Sequence, residues 1–169
     1  MPVWSLYRVV VRRTIRFPFR IYFAPTRRGT FDSTHSRRRT NRETLTPSTV
    51  FKWYVTHNLP VTPINPGAPG IAVDGEDHPT VASLSDLQGP EETAVSIITP
   101  PAVTQKTLET AKGLGIQSVF LQPGTFNDDI LAFARENFKT VVAGEGGQGS
   151  QGWCVLADGE RGLQAAGKL

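Results

Sequence analysis

The chain has 169 residues, enough for one domain with a segment to spare, and its 38% hydrophobic fraction is ordinary for a globular chain once the 16 glycines are counted as apolar. One cysteine, Cys154, excludes an internal disulfide framework and a cysteine-based zinc site. No stretch reaches the roughly 18 apolar residues of a membrane span, so a soluble chain is expected. The net charge of +3 divides unevenly. Residues 1–50 carry eleven Arg and no Lys against Asp32 and Glu43, a balance of +9, whereas residues 51–169 carry seven basic and thirteen acidic side chains, a balance of −6.

Residues 1–31 contain no acid, and Arg8, Arg12, Arg13, Arg16, Arg20, Arg27 and Arg28 are spread among Val, Ile, Phe, Ser and Thr. That composition is shared by mitochondrial presequences, although the β-branched Val9, Val10 and Val11 and the helix-breaking Pro18 weaken an amphipathic helix there. Arg27–Arg28 and Arg37–Arg38–Arg39 could also neutralise phosphates of a nucleic acid. The plainest reading is a disordered tail outside the working body. The expected organisation is a basic leader over residues 1–45 and a folded domain over residues 46–169, in the cytoplasm or the mitochondrion.

From Thr46 the pattern becomes regular. Thr46-Pro47 reads as an N-cap followed by proline at the first helical position, opening a helix through Val50, Phe51, Trp53, Tyr54 and His57 that Asn58 can close in a left-handed conformation. Val61 to Asn65 reads as a strand stopped by Asn65-Pro66-Gly67, residues 67–80 as mostly loop, and Ser83 to Leu87 as one helical turn. Ala94 to Ile98 is an apolar run of buried-strand type ended by Thr99-Pro100-Pro101. Val103, Leu108, Ala111 and Leu114 recur at helical spacing, with Gly113 or Gly115 as the stop. Ser118 to Leu121 is a strand ended by Gln122-Pro123-Gly124, and Asn127 caps a helix whose first turn holds Asp128 and Asp129. Thr140 to Ala143 and Trp153 to Ala157 read as two further strands.

Short buried strands alternating with helices predict an α/β fold, a doubly wound parallel sheet with right-handed crossovers. Ligands of such sheets sit outside the carboxyl ends of the strands, so the three turns starting at Asn65, Thr99 and Gln122 form the candidate site. Gly144, Gly146 and Gly149 match the dinucleotide-binding spacing, but the strand read at Trp153 leaves no helix to hold a pyrophosphate, and a flexible loop is expected instead. His35, His57 and His78 share no metal-ligand spacing. Cys154 reads as a packed thiol, and the adjacent Asp128 and Asp129 as helix-start charge. No catalytic constellation or metal site is evident.

Phe51-Lys52-Trp53-Tyr54, Leu59-Pro60-Val61-Thr62-Pro63-Ile64-Asn65-Pro66, Ser96-Ile97-Ile98-Thr99-Pro100-Pro101, Leu121-Gln122-Pro123-Gly124 and Gly152-Trp153-Cys154-Val155-Leu156 occur in the order in which similar strings occur in one family. Over about residues 48–165 the chain resembles the small stand-alone CoA-binding proteins, Rossmann-like domains related to the CoA-binding domain of the succinyl-CoA synthetase alpha subunit, and its glycine-rich loop before Trp153 resembles the fungal branch. The resemblance implies CoA or an acyl-CoA as ligand, with Asn65 and Pro66 at the nucleotide. It implies that Thr99, Pro100, Pro101, Gln122, Pro123 and Gly124 line the pantetheine and phosphate side.

Two departures stand out. The family often has Lys after Asn-Pro, where this chain has Gly67. Family members also begin with a central strand and a glycine-containing phosphate loop, whereas here there is no glycine between Phe31 and Phe51. The expected sheet therefore lacks its first strand or replaces it, and either Phe19 to Phe23 supplies a substitute or the leader is foreign to the body. Three functions remain: a CoA-binding module without catalysis of its own, a degenerate domain that has lost its nucleotide, or the non-catalytic subunit of an acyl-CoA ligase-type enzyme. The related synthetases use a phosphorylated histidine in a further domain, so activity of that kind implies a partner subunit.

Overall fold

A computed structural model describes residues 8–12, 45–149 and 151–169. Helix α1 (Pro47–Thr56) starts as expected: the Thr46 hydroxyl accepts the Thr49 N–H at 3.2 Å, and the Thr49 hydroxyl accepts the Thr46 N–H at 2.9 Å. Asn58 closes the helix with φ +53°. Strand β2 (Val61–Ile64) follows.

Residues 67–80 are more ordered than the loop expected there. Gly70–Val73 (β3) and Glu76–Pro79 (β4) form an antiparallel hairpin. Its two-residue turn is Asp74-Gly75, both at positive φ, 50° and 89°. Asp-Gly is the pair such turns favour, because both central residues must enter the left-handed region. The abundance of Gly and Pro around it masked that signal. The helical turn expected after Ser83 is present as a single 3-10 turn, Leu84–Asp86.

Three strands and two helices then alternate as the sequence predicts: β5 (Thr93–Ile97), α2 (Pro101–Gly113), β6 (Ser118–Leu121), α3 (Asp128–Asn137) and β7 (Thr140–Val142). The Asn127 side chain accepts the Ile130 N–H at 3.0 Å, the expected cap of α3. The segment from Trp153 to Ala157 is not a strand. Val155–Ala165 is a fourth helix, α4. Val155, Gly159 and Leu163 recur every four residues, a helical period. A five-residue window ending at Ala157 stops before that period shows.

The fold is α/β and Rossmann-like, with strand order β2-β1-β5-β6-β7, where β1 is Arg8–Arg12. β5, β6 and β7 are parallel. The replacement for the first strand is Arg8–Arg12 (β1), inside the stretch read from composition as a disordered leader. The alternative at Phe19 to Phe23 lies outside the described residues, as does the remainder of residues 13–44. β1 pairs antiparallel with β2 on one side and β5 on the other. The parallel sheet expected is therefore interrupted by one reversed strand at its centre. Without β1 the backbones of β2 and β5 would face each other as unpaired edges. Val9, Val10 and Val11 suit a strand, because β-branched residues favour extended backbone.

Both faces are covered, which makes the sheet doubly wound. Val95, Ile97, Val119 and Leu121 pack with Leu108 and Ala111 of α2 and Ile130 and Ala134 of α3. On the other face Phe120 and Val61 pack with Val50, Phe51 and Tyr54 of α1 and Val155 of α4, and the β3–β4 hairpin adds Ile71 and Val73. Among the described residues no helix is long and apolar enough to cross a membrane.

Candidate functional site

Because β1 is antiparallel to both neighbours, β2 runs in the same direction as β5, β6 and β7. Four carboxyl ends thus share one edge of the sheet. All eight residues singled out in the sequence lie in the turns at that edge: Asn65 and Pro66 after β2, Thr99, Pro100 and Pro101 after β5, and Gln122, Pro123 and Gly124 after β6.

The eight divide into two kinds. Asn65, Thr99 and Gln122 are buried, each at 2% exposure or less, and their polar atoms serve the fold. Asn65 Oδ1 accepts the Gly67 N–H at 2.9 Å, which holds the turn that ends β2. The Thr99 hydroxyl lies 2.9 Å from that of Thr104, which donates to the Thr99 carbonyl at 3.0 Å. Gln122 donates from Nε2 to the Ser96 hydroxyl and accepts the Val155 N–H at Oε1, both at 3.1 Å. Pro66, Pro100 and Gly124, by contrast, are exposed, with Pro101 and Pro123 half-buried beside them. A rim of proline rings and glycine backbone therefore stands on a buried polar frame. Such a rim offers apolar contact and close backbone approach to an elongated ligand.

Gly124 has φ +80°, and the Thr125 hydroxyl donates to the Gln122 carbonyl at 2.7 Å to fix the turn. The polar frame continues inward. Burial pushes the Tyr54 phenol of α1 up to about 12, a shift that nearby Ser96 opposes and nearby Cys154 adds to.

The glycine run after β7 differs from the flexible loop expected. A helix does follow it, so the contextual reason for setting aside the dinucleotide-binding spacing does not hold. What closes that helix to a pyrophosphate is its own capping. Asp158, 4% exposed, accepts the Gln148 N–H through Oδ1 at 2.7 Å and the Cys154 N–H through Oδ2 at 3.0 Å. Gln122 already holds Val155. The Trp153 N–H donates to the Gly144 carbonyl at 3.0 Å, and a Cβ on Gly152, at φ +98°, would collide with that carbonyl. The run is a tied loop with glycine enforced by close backbone approach.

Asp158 and the α4 start were missed in the sequence because the helix was read as a strand. The available signal was an acidic residue in the first turn of a helix whose apolar residues recur every four positions. His57 and His78 take structural places: His57 stacks on Trp53 with ring centroids 4.1 Å apart, and His78 meets the Phe51 ring edge-on at 5.2 Å. Among the described residues no three His, Cys, Asp or Glu side chains are grouped to hold a metal ion.

A doubly wound sheet with its strand ends and their turns gathered on one edge defines a ligand-binding α/β domain of the Rossmann-like class. The family whose description is CoA binding domain matches residues 41–146, and the chain belongs to that family. The match runs from just before α1 into the glycine loop, so β1 and α4 lie outside it. No curated protein and no solved structure matches the chain.

Proposed function

We propose that the chain is a CoA or acyl-CoA binding module that does no catalysis of its own. The observation that carries this reading is the convergence of the turns after β2, β5 and β6 on one sheet edge, in a chain of the CoA-binding family. The ligand lies across that edge, its nucleotide at Asn65 and Pro66 and its pantetheine arm along Thr99, Pro100, Pro101 and the Gln122-Pro123-Gly124 turn. The polar side chains at the edge are engaged in holding the fold, which supports binding more than chemistry. The motif order supports kinship with the stand-alone CoA-binding proteins of the succinyl-CoA synthetase alpha-subunit group, and the glycine loop before Trp153 supports a fungal type.

Calorimetric titration of the full chain with CoA, paired with thermal unfolding with and without it, tests the reading. Micromolar binding with a raised unfolding temperature is expected, since a ligand specific to the native state stabilises it. Asn65→Ala and Gly124→Val should each weaken binding, and an unchanged affinity in both would sink the site assignment. A chain that unfolds cooperatively but ignores CoA would point to the degenerate domain. A fusion of residues 1–45 to a fluorescent protein separates mitochondrial from cytoplasmic residence.

A further inference from the structure

The turns after β2, β5 and β6 share their sheet edge with a fourth connection, the glycine loop that follows β7. Along that edge the strands stand in the order β2, β1, β5, β6, β7. A ligand that starts at the β2 turn and runs past the β5 and β6 turns meets the glycine loop next, one strand spacing of about 4.8 Å further on. β6 and β7 pair as far as Phe120 and Val142, and Gln122 and Gly144 each lie two residues past that pair. The loop is preformed. Asp158 accepts the Gln148 and Cys154 amides, and the Trp153 amide donates to the Gly144 carbonyl. A site held in place before its ligand arrives loses less entropy on binding.

Two apolar side chains lie against this loop. A Cβ on Gly144 would stand 3.7 Å from a Leu131 methyl, and one on Gly146 would stand 3.3 Å from the Trp153 indole nitrogen. Both side chains are half-buried, and neither belongs to the two clusters of apolar side chains that hold the helices to the sheet. The prolines of the other turns give the edge small rings. The indole gives it a broad apolar face with a polar tip, a group suited to a boundary between apolar matter and water. The Arg135 guanidinium also reaches Gly144, 3.9 Å from the same Cβ position, but the exposed Glu145 next in the chain carries the opposite charge.

We propose that the loop after β7, with Leu131 and Trp153 against it, receives the acyl group of a bound acyl-CoA and favours apolar acyl chains. The inference rests on the CoA-binding reading above and narrows its ligand class. With the nucleotide at the β2 turn and the pantetheine arm along the β5 and β6 turns, the thioester and the group it carries lie beyond Gly124, at the next loop of the edge.

The test titrates the full chain with CoA, acetyl-CoA, hexanoyl-CoA and glutaryl-CoA, whose acyl group ends in a carboxylate. Hexanoyl-CoA should bind about tenfold or more tighter than acetyl-CoA, the order expected for burying two or more methylene groups. Trp153→Ala and Leu131→Ala should each shrink that ratio, the loss falling on hexanoyl-CoA more than on acetyl-CoA. Thermal unfolding identifies a variant that has lost its fold, and since the two residues sit on separate elements, either variant decides the matter if the other does not fold. Equal affinities for hexanoyl-CoA and acetyl-CoA in the unsubstituted chain, equal losses for both in the variants, or tighter binding of glutaryl-CoA than of hexanoyl-CoA would each overturn the assignment while leaving the CoA-binding reading intact. Failure of the unsubstituted chain to bind CoA would instead remove the reading on which it rests.

Discussion

The side-chain oxygen of Gln122, at the carboxyl end of β6, accepts the backbone N–H of Val155, the first residue of α4, at 3.1 Å. The same amide group donates to Ser96 on β5. One fully buried side chain therefore ties two strands and one helix together beneath the turn that carries Pro123 and Gly124. This frame explains why the candidate site is built on prolines and glycines. The polar side chains of those turns are needed below the surface.

Gln122→Leu keeps the volume and removes both bonds, leaving the Val155 amide buried without a partner. A loss of about 1–3 kcal/mol is expected, the usual cost of an orphaned buried polar group. Urea unfolding followed by tryptophan fluorescence checks it. A change under about 0.5 kcal/mol, typical of a surface substitution, would mean that Gln122 is not a tie of the fold.

Tyr54 gives the stability a dependence on high pH. Its folded-state phenol is pushed up to about 12 from an ordinary 10.0, so above pH 10 the unfolded chain releases a proton that the folded chain retains. The Tyr54 contribution is therefore intact below pH 10 and lost as pH rises from 10 towards 12. The loss is on the order of 2–3 kcal/mol. Tyr54→Phe should flatten that part of the stability profile, and equal slopes for the two chains would refute the prediction.

Helices α1 and α4 meet at Trp53 and Gly159, where a Cβ on the glycine would collide with the indole ring. Gly159→Ala gains helix propensity yet should destabilise by about 1–3 kcal/mol, because overpacking outweighs the propensity term. Combining it with Trp53→Leu should recover part of the loss. A double-mutant cycle showing additive effects would place the two residues out of contact.

Asp158 holds the glycine loop to the start of α4 through the Gln148 and Cys154 amides. In Asp158→Asn one amide can still be accepted, whereas in Asp158→Ala neither can. Hydrogen exchange should accelerate at both amides in the alanine variant and less in the asparagine variant. Exchange at Gln148 and Cys154 that ignores both substitutions would show that the loop is held by other means.

The alternation of β5, α2, β6, α3 and β7 was legible in the sequence because each strand is a short apolar run and each helix has its own cap or proline start. Ala94 to Ile98, Ser118 to Leu121 and Asn127 all do in the structure what their local chemistry predicts. The eight turn residues were legible as turns for the same reason, since Asn-Pro, Thr-Pro-Pro and Gln-Pro-Gly are combinations of turn-forming residues. The hairpin at Asp74-Gly75 and the helix at Val155 were missed. In both, the informative residues lay beside stronger but misleading signals: a glycine- and proline-rich stretch in the first case, a β-like Trp-Cys-Val-Leu string in the second.

By itself the sequence determined the α/β class, the doubly wound arrangement of its later half, and the turns that make up the candidate site. These follow from local periodicity and turn chemistry, which act over a few residues. Only the tertiary structure decided that Arg8–Arg12 fills the gap between β2 and β5, and that it does so antiparallel. Strand pairing here joins residues fifty or more positions apart, and a Val-Val-Val run fits either direction equally well. The tertiary structure likewise decided the division of labour at the edge. Whether Gln122 faces a ligand or caps a helix depends on where α4 begins, and Val155 lies 33 residues further along the chain.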